Sequence, residues 1–313
     1  METLVTNSIQ KASSFIKKGE IAAFPTETVY GLGANAYDEK AVEKIFKAKG
    51  RPRDNPLIVH IANKKDIEVL AKEISAAAKK IIKKFFPGPV TVILKKNEII
   101  PDLVTRGLNT IAVRMPSSKI ASQFINACGV PIAAPSANLS GSPSPTSFIH
   151  VLEDFKGKIP CVLAGPATKY GLESTVVDCT GRIPKILRPG VLTLEELRKI
   201  DKRIKVQKKS ALIKSPGQKY RHYSPKAIVK FQISDYRLKI NTAYIGIHKP
   251  NKNVLSGLSR YKICRDLNDY AKNLFSFFRE CDAKKIKTIY CQSVPEKGIG
   301  LAIMNRLKKA TRY

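Results

Sequence analysis

Residues 24–60 read FPTETVYGLGANAYDEKAVEKIFKAKGRPRDNPLIVH, and this stretch decides the fold class. An apolar strand over 21–24 runs into Pro25, threonines at 26 and 28, and glycines at 31 and 33. A helical pattern follows, with Ala41, Val42, Ile45, Phe46 and Ala48 recurring at i, i+3, i+4 spacing. Asp38 offers the N-cap oxygen, and Gly50 suits the left-handed residue that closes such a helix. The basic run Lys49-Gly50-Arg51-Pro52-Arg53 comes next, and a second apolar strand over 57–61 carries His60. Strand, helix and strand, joined by small hydroxyls, glycines and fixed cations, predict an α/β sheet that receives a small polyanion.

The same alternation continues on both sides. Strands are expected at 90–94, 110–114, 132–134, 161–164, 174–178 and 185–188. Helices are expected at 8–18, 38–49, 65–73, 75–86, 118–128, 146–155 and 193–199. Residues 206–224 are polar, cationic and marked by Pro216-Gly217, so they read as a linker. Beyond it, strands at 227–233, 243–247 and 288–294 and helices at 267–279 and 300–309 fit a small βαβ domain with a parallel core. The expected division is 1–205, a linker over 206–224, and 225–313. A chain of 313 residues suits one large and one smaller domain.

Composition excludes several classes. No apolar run reaches the ~20 residues a membrane helix needs, and no signal-peptide pattern opens the chain, so a soluble cytoplasmic protein is expected. The six cysteines are scattered without metal-ligand spacing and read as buried thiols. The formal charge of +31 permits contact with a nucleic acid such as RNA. Lysines spread along the whole chain mostly make solvated faces, however. No G-x-x-x-x-G-K-[ST] loop, G-x-G-x-x-G fingerprint or G-x-S-x-G elbow is present. With four histidines and no nucleophile motif, any chemistry must rest on positioning and charge.

The candidate binding residues lie at strand ends, where open α/β sheets collect their ligands. The threonine turn 26–31 can present hydroxyls and backbone N–H groups, although a simple capped turn has the same composition. The cations after Lys49 gain from the helix dipole, yet two prolines stiffen them, which suits a phosphate clamp. His60 in an apolar strand is most simply a hydrogen-bonded core histidine. Arg114 and Arg188 each end an apolar strand. The stretch AAPSANLSG (133–141) is small enough for a ligand to approach the backbone.

The segments PTETVYGLG (25–33), KGRPRDNPLIVH (49–60), FFPGPVT (85–91), TIAVRMP (110–116), PIAAPSANLSG (131–141), ESTVVD (173–178) and LRPG (187–190) stand in one order and spacing. Together they resemble the threonylcarbamoyl-AMP synthases of the YrdC type. SPGQKYRHYSPKA (215–227) and GIGLAIMNRLKKA (298–310) resemble the long, two-domain form of that family. The resemblance implies a twisted mixed sheet with helices forming a concave catalytic domain, plus a small C-terminal Rossmann-like α/β domain. It implies that L-threonine, bicarbonate or CO2, and ATP with Mg2+ give threonylcarbamoyl-adenylate and pyrophosphate. Partner proteins then transfer the threonylcarbamoyl group to tRNA. By the same matching, Lys49 and Arg51 would be catalytic, and Thr28, His60, Arg114 and Ser174 would hold threonine. Arg51, Asn55, Thr110, Ala134, Ser136, Asn138, Ser144, Arg188 and the linker's Tyr223 would hold ATP. The linker would fold over the cavity, anchored by the terminal domain. It departs from the family's more frequent residues at Gln218 and Ser224, keeping Tyr220, His222, Tyr223 and Pro225. Two other readings are an RNA-binding module without adenylate formation, and a carbamoyl-transfer domain like that of hydrogenase maturation proteins. The missing zinc spacing and the added terminal domain speak against the latter.

Overall fold

The computed structural model of the chain describes residues 1–52, 55–207, 223–231 and 241–311. Its first unit is built on strands β1 (Leu4–Thr6), β2 (Ala22–Phe24), β3 (Gly31–Asn35), β4 (Ile58–His60), β5 (Ala71–Glu73) and β6 (Val90–Lys96). To these are added β7 (Thr110–Arg114), β8 (Ile132–Ala134), β9 (Cys161–Leu163), β10 (Thr175–Asp178), β11 (Lys185–Arg188) and β12 (Lys205–Val206). They form one mixed sheet in the order β1-β9-β2-β3-β8-β4-β7-β6-β10-β11-β12, with β5 paired to the far end of β6. The second unit has β13 (Ile228–Lys230), β14 (Thr242–Gly246), β15 (Arg260–Ile263) and β16 (Thr288–Cys291) in the all-parallel order β13-β16-β14-β15. This is the expected α/β architecture, a large mixed sheet beside a small parallel one.

The deciding stretch folds for the reasons its sequence supplies. Asp38 Oδ1 accepts from Ala41 N at 3.0 Å, a cap whose loss costs about 1 kcal/mol. The helix Glu39–Lys49 buries Ala41, Val42, Ile45 and Phe46 and ends at Gly50, whose φ of 57° is left-handed. That sharp end delivers Lys49 and Arg51 to the rim of the sheet. Next to it, β4 runs parallel to β7, which registers His60 opposite Arg114. Antiparallel pairing of β4 with β8 sets Ile58 opposite Ala134. On the other side β10 runs parallel to β6 and antiparallel to β11, so Val176 faces Arg188.

Several elements differ from expectation. Gly31-Leu32-Gly33 is a strand. A Cβ on Gly33 would stand 2.6 Å from Ile132 Cγ2 and 3.0 Å from the Phe24 ring, so glycine is demanded by close packing. The helix expected over 65–73 stops at Leu70, because Ala71–Glu73 pairs with β6 and Glu73 meets Lys95 Nζ at 2.6 Å. The short strands β1, β12 and β15 and the helix Lys252–Ser256 were not expected. Most of the linker reading falls on residues 208–222, which lie outside the described residues, as do Arg53, Asp54, Tyr220 and His222. All six cysteines are buried thiols, and among the described residues no helix is long and apolar enough to cross a membrane.

The two units pack against each other. Leu172, just before β10, joins the core of the second unit with Tyr223, Phe275 and Leu307. Two buried arginines also cross over. Arg279 donates to the Pro143 carbonyl at 2.7 Å and to Asp154 at 2.8 Å, and Arg306 reaches Glu173 at 2.9 Å.

Candidate active site

A cavity opens at the C-terminal ends of β4 and β7. It is lined by Arg51, His60, Arg114, Ala134, Ser136, Asn138, Ser144, Ser174, Arg188 and Tyr223, together with Thr26, Tyr30 and Glu173. Ten of the residues singled out in the sequence therefore meet in one place. Lys49, Thr28, Asn55 and Thr110 are not in its wall.

Each of those four has a definite position. Thr26 Oγ1 donates to the Val29 carbonyl at 2.7 Å, so the buried Thr28 hydroxyl, 2.9 Å away, donates to Thr26 and stands behind it. Lys49 is buried under the 136–138 turn and donates from Nζ to the carbonyls of Ser136, at 2.6 Å, and Asn138. Burial, with the nearby Arg51 cation adding to it, holds the Lys49 pKa well below the ordinary lysine value. Asn55 is buried, and its backbone carbonyl accepts from Arg51 Nη2 at 3.2 Å, which fixes the guanidinium at the rim. Thr110 begins β7, four residues from Arg114, or about 13 Å along the strand.

The wall itself is strongly pre-organised. Ser136 Oγ donates to Asn138 Oδ1 at 2.5 Å, and Asn138 Nδ2 donates to the Leu139 and Ser142 carbonyls, so this loop is braced from within. Arg114 pairs with Glu27 at 2.7 Å, both side chains at most 5% exposed. Arg114 Nε and Glu27 Oε2 find no partner among the described residues. A buried guanidinium with a spare N–H suits a ligand carboxylate, because an unpaired buried donor is otherwise costly. Beside it His60 is neutral: burial, helped by the Arg114 cation, pushes its pKa down to about 3. Its Nδ1 lies 3.2 Å from the Ile58 carbonyl, and its ring meets Phe24 edge-on.

The opposite wall is organised by Arg188 and Glu173. Arg188 Nη2 donates to the Ser174 carbonyl at 2.9 Å and to Ser174 Oγ at 3.2 Å, while Ser174 Oγ also bonds Thr91. Glu173 accepts from Ser144 Oγ at 2.5 Å. Burial favours the protonated acid there, but the cations of Arg306 and Arg188 and the Ser144 hydroxyl outweigh it and hold the pKa below the ordinary carboxyl value. Gly190 explains the LRPG motif: a Cβ there would stand 2.4 Å from Thr175 N and 2.5 Å from the Glu173 carbonyl. Tyr223 closes the cavity with φ of 66°, uncommon for a bulky residue, held by stacking on Phe275 at 5.4 Å.

Sequence reasoning missed Glu27 and Glu173, although both stand inside quoted motifs. Their arginine partners lie 87 and 133 positions away, so only the fold reveals the pairs. The chemistry is legible in the result. Among the described lining residues no hydroxyl is paired with a histidine as a nucleophile would be. Three arginines, a neutral imidazole and a row of hydroxyls are groups that can position reactants and stabilise developing negative charge.

Comparison with known proteins shows the family. Residues 14–190 match the Sua5, YciO and YrdC family, described as "Telomere recombination", and residues 192–311 match "Threonylcarbamoyl-AMP synthase, C-terminal domain". The chain belongs to this family. Among its curated members, the threonylcarbamoyl-AMP synthase of Pyrococcus abyssi is 48% identical over 97% of this chain and 94% of that protein. The Bacillus subtilis threonylcarbamoyl-AMP synthase is 41% identical over 99% and 95%. The crystal structure of P. abyssi Sua5 complexed with L-threonine superposes with a TM-score of 0.90 at 44% identity, over 99% of this chain and 98% of that one. The present family member shares the fold of that structure over nearly its whole length.

Proposed function

We propose that the protein is a threonylcarbamoyl-AMP synthase, making L-threonylcarbamoyladenylate from L-threonine, bicarbonate or CO2, and ATP with release of pyrophosphate. The observation that carries this reading is the single cavity in which Arg51, Arg114 and Arg188 converge around neutral His60 and small hydroxyls. Full-length relatives bearing that name support it. The threonine amine attacks CO2, losing a proton to form the carbamate. A carbamate oxygen then attacks the α-phosphorus, and the bond to pyrophosphate breaks. Neither step needs a covalent enzyme intermediate, and both gain from holding reactants about 3–3.5 Å apart.

In this reading Arg114 takes the threonine carboxylate with its unpartnered Nε, flanked by His60 and Ser174, and Thr28 steadies that side through Thr26. Arg51 and Arg188 face the nucleotide phosphates, while Ala134, Ser136, Asn138, Ser144 and Tyr223 enclose the nucleoside. Lys49 acts from beneath by fixing the turn at 136–138, and Asn55 by fixing Arg51. Thr110 is assigned to the nucleotide by family likeness alone. Mg2+ would be held through the ATP phosphates, whose charge it would offset. That fits the donor set, because Glu27 and Glu173 are engaged by arginines, and the described residues contain no cluster of three metal-binding side chains. In this division residues 1–205 are the catalytic domain, 206–224 the linker and 225–313 the terminal domain. The product serves threonylcarbamoyladenosine formation beside the anticodon of tRNAs reading A-starting codons, in the cytoplasm, through downstream transfer proteins.

An omission assay tests the reaction. Purified protein with MgATP is expected to release pyrophosphate, and to form an adenylate carrying the threonine mass, only when threonine and bicarbonate are both supplied. Equal release with threonine withheld would contradict it.

A further inference from the structure

We infer that Arg306, on the last helix of the second unit, is a positioning residue for the nucleotide side of the cavity, acting through Glu173. The inference rests on the synthase reading and assigns a specific task to the terminal domain. Arg306 is fully buried, an unfavourable site for a guanidinium unless its charge and donors are matched. Its Nε donates to Glu173 Oε2 at 2.9 Å. Its Nη1 donates to the Pro189 carbonyl at 2.6 Å, and its Cζ lies 5.2 Å from the Tyr223 ring centroid. Nη2 has no hydrogen-bond partner among the described residues.

Each of these contacts ends on a residue of the nucleotide wall or on its neighbour. Glu173 uses its other oxygen to hold Ser144. Pro189 follows Arg188, so the bond to its carbonyl sets where the Arg188 strand ends. Tyr223 stands between Arg306 and the cavity. One planar fork thereby fixes Ser144, Arg188 and Tyr223 together, whereas the Glu27–Arg114 pair is made within the first unit. A guanidinium is needed because a lysine ammonium cannot present two divergent N–H groups in a fixed plane. A residue that merely glues the units together would, when replaced, weaken both substrates alike. A positioning residue weakens the nucleotide selectively.

The test uses Arg306→Gln and Arg306→Lys in the full chain. Calorimetric titration with α,β-methylene-ATP and separately with L-threonine is combined with steady-state pyrophosphate release. Arg306→Gln is expected to bind the ATP analogue at least tenfold more weakly and threonine within threefold of the native chain. Arg306→Lys, which keeps a cation for Glu173 but loses the fork, is expected to fall between the two. Should Arg306→Gln fail to fold, Arg306→Lys carries the same comparison. Native affinity for the analogue in the folded variants, or equal loss for both ligands, overturns the inference. A native chain that releases no pyrophosphate with both substrates present overturns the synthase reading instead, so the two failures are distinguishable.

Discussion

Arg188→Ala is expected to release pyrophosphate at least about a hundredfold more slowly than the native chain, with its circular dichroism spectrum unchanged. Removing one pre-organised donor from a water-poor site typically lowers turnover by about 10²–10³. Arg188 is such a donor, buried at the end of β11, and its guanidinium is also what holds Ser174 through three hydrogen bonds. That wall of the cavity therefore loosens at Ser174 as well as at Arg188. The fold should survive, because Glu173 keeps Arg306 and Ser144 as partners and β11 keeps its pairing with β10. Arg188→Lys should recover little, since an ammonium lacks the planar fork with which Nε and Nη2 hold the Ser174 carbonyl between them. Steady-state kinetics at saturating substrates would measure this; near-native turnover would remove Arg188 from the mechanism.

Ending the chain after Gln207 is expected to lower turnover below about 1% of native while leaving the first unit folded. Among the described residues the main core runs from Ile21 to Val206 and draws on none of the second unit, so the large sheet should persist. The cavity should not. Tyr223 is lost from its wall, Glu173 loses the Arg306 charge, and the Pro143 carbonyl loses both bonds from Arg279. Leu172 becomes exposed directly beside Glu173, and a buried carboxylate stripped of its ion-pair partner typically costs several kcal/mol. Circular dichroism and the omission assay on the shortened chain check the two halves of this expectation. Native turnover would mean that the terminal unit has no part in the reaction.

Much of the site was legible because its residues obey local rules. Asp38 and Gly50 mark the helix ends, and short continuous apolar runs mark the strands that carry His60, Arg114 and Arg188. The glycines at 31 and 33 misled, because turn chemistry and close strand packing use the same residue. Only the positions of the Phe24 ring and Ile132 distinguish them. Lys49 looked like a free cation following a helix, and its burial under the 136–138 turn depends on a contact 87 positions distant. The carboxylates at 27 and 173 were invisible as site residues for the same reason. Each matters through an arginine that the sequence places far away and the fold places beside it. Arg306 is the extreme case, a basic residue on a lysine-rich terminal helix that proves to be fully buried.

The central claim is that one cavity receives both substrates, threonine against Arg114 and His60 and the nucleotide against Arg51, Ser144 and Arg188. A crystal structure of the full chain soaked with L-threonine and α,β-methylene-ATP tests it most directly. The account predicts the threonine carboxylate within hydrogen-bond distance of the Arg114 guanidinium, with the α-phosphate on the same side of Arg188. Threonine and nucleotide found in separate cavities, or either ligand bound away from these arginines, would contradict it.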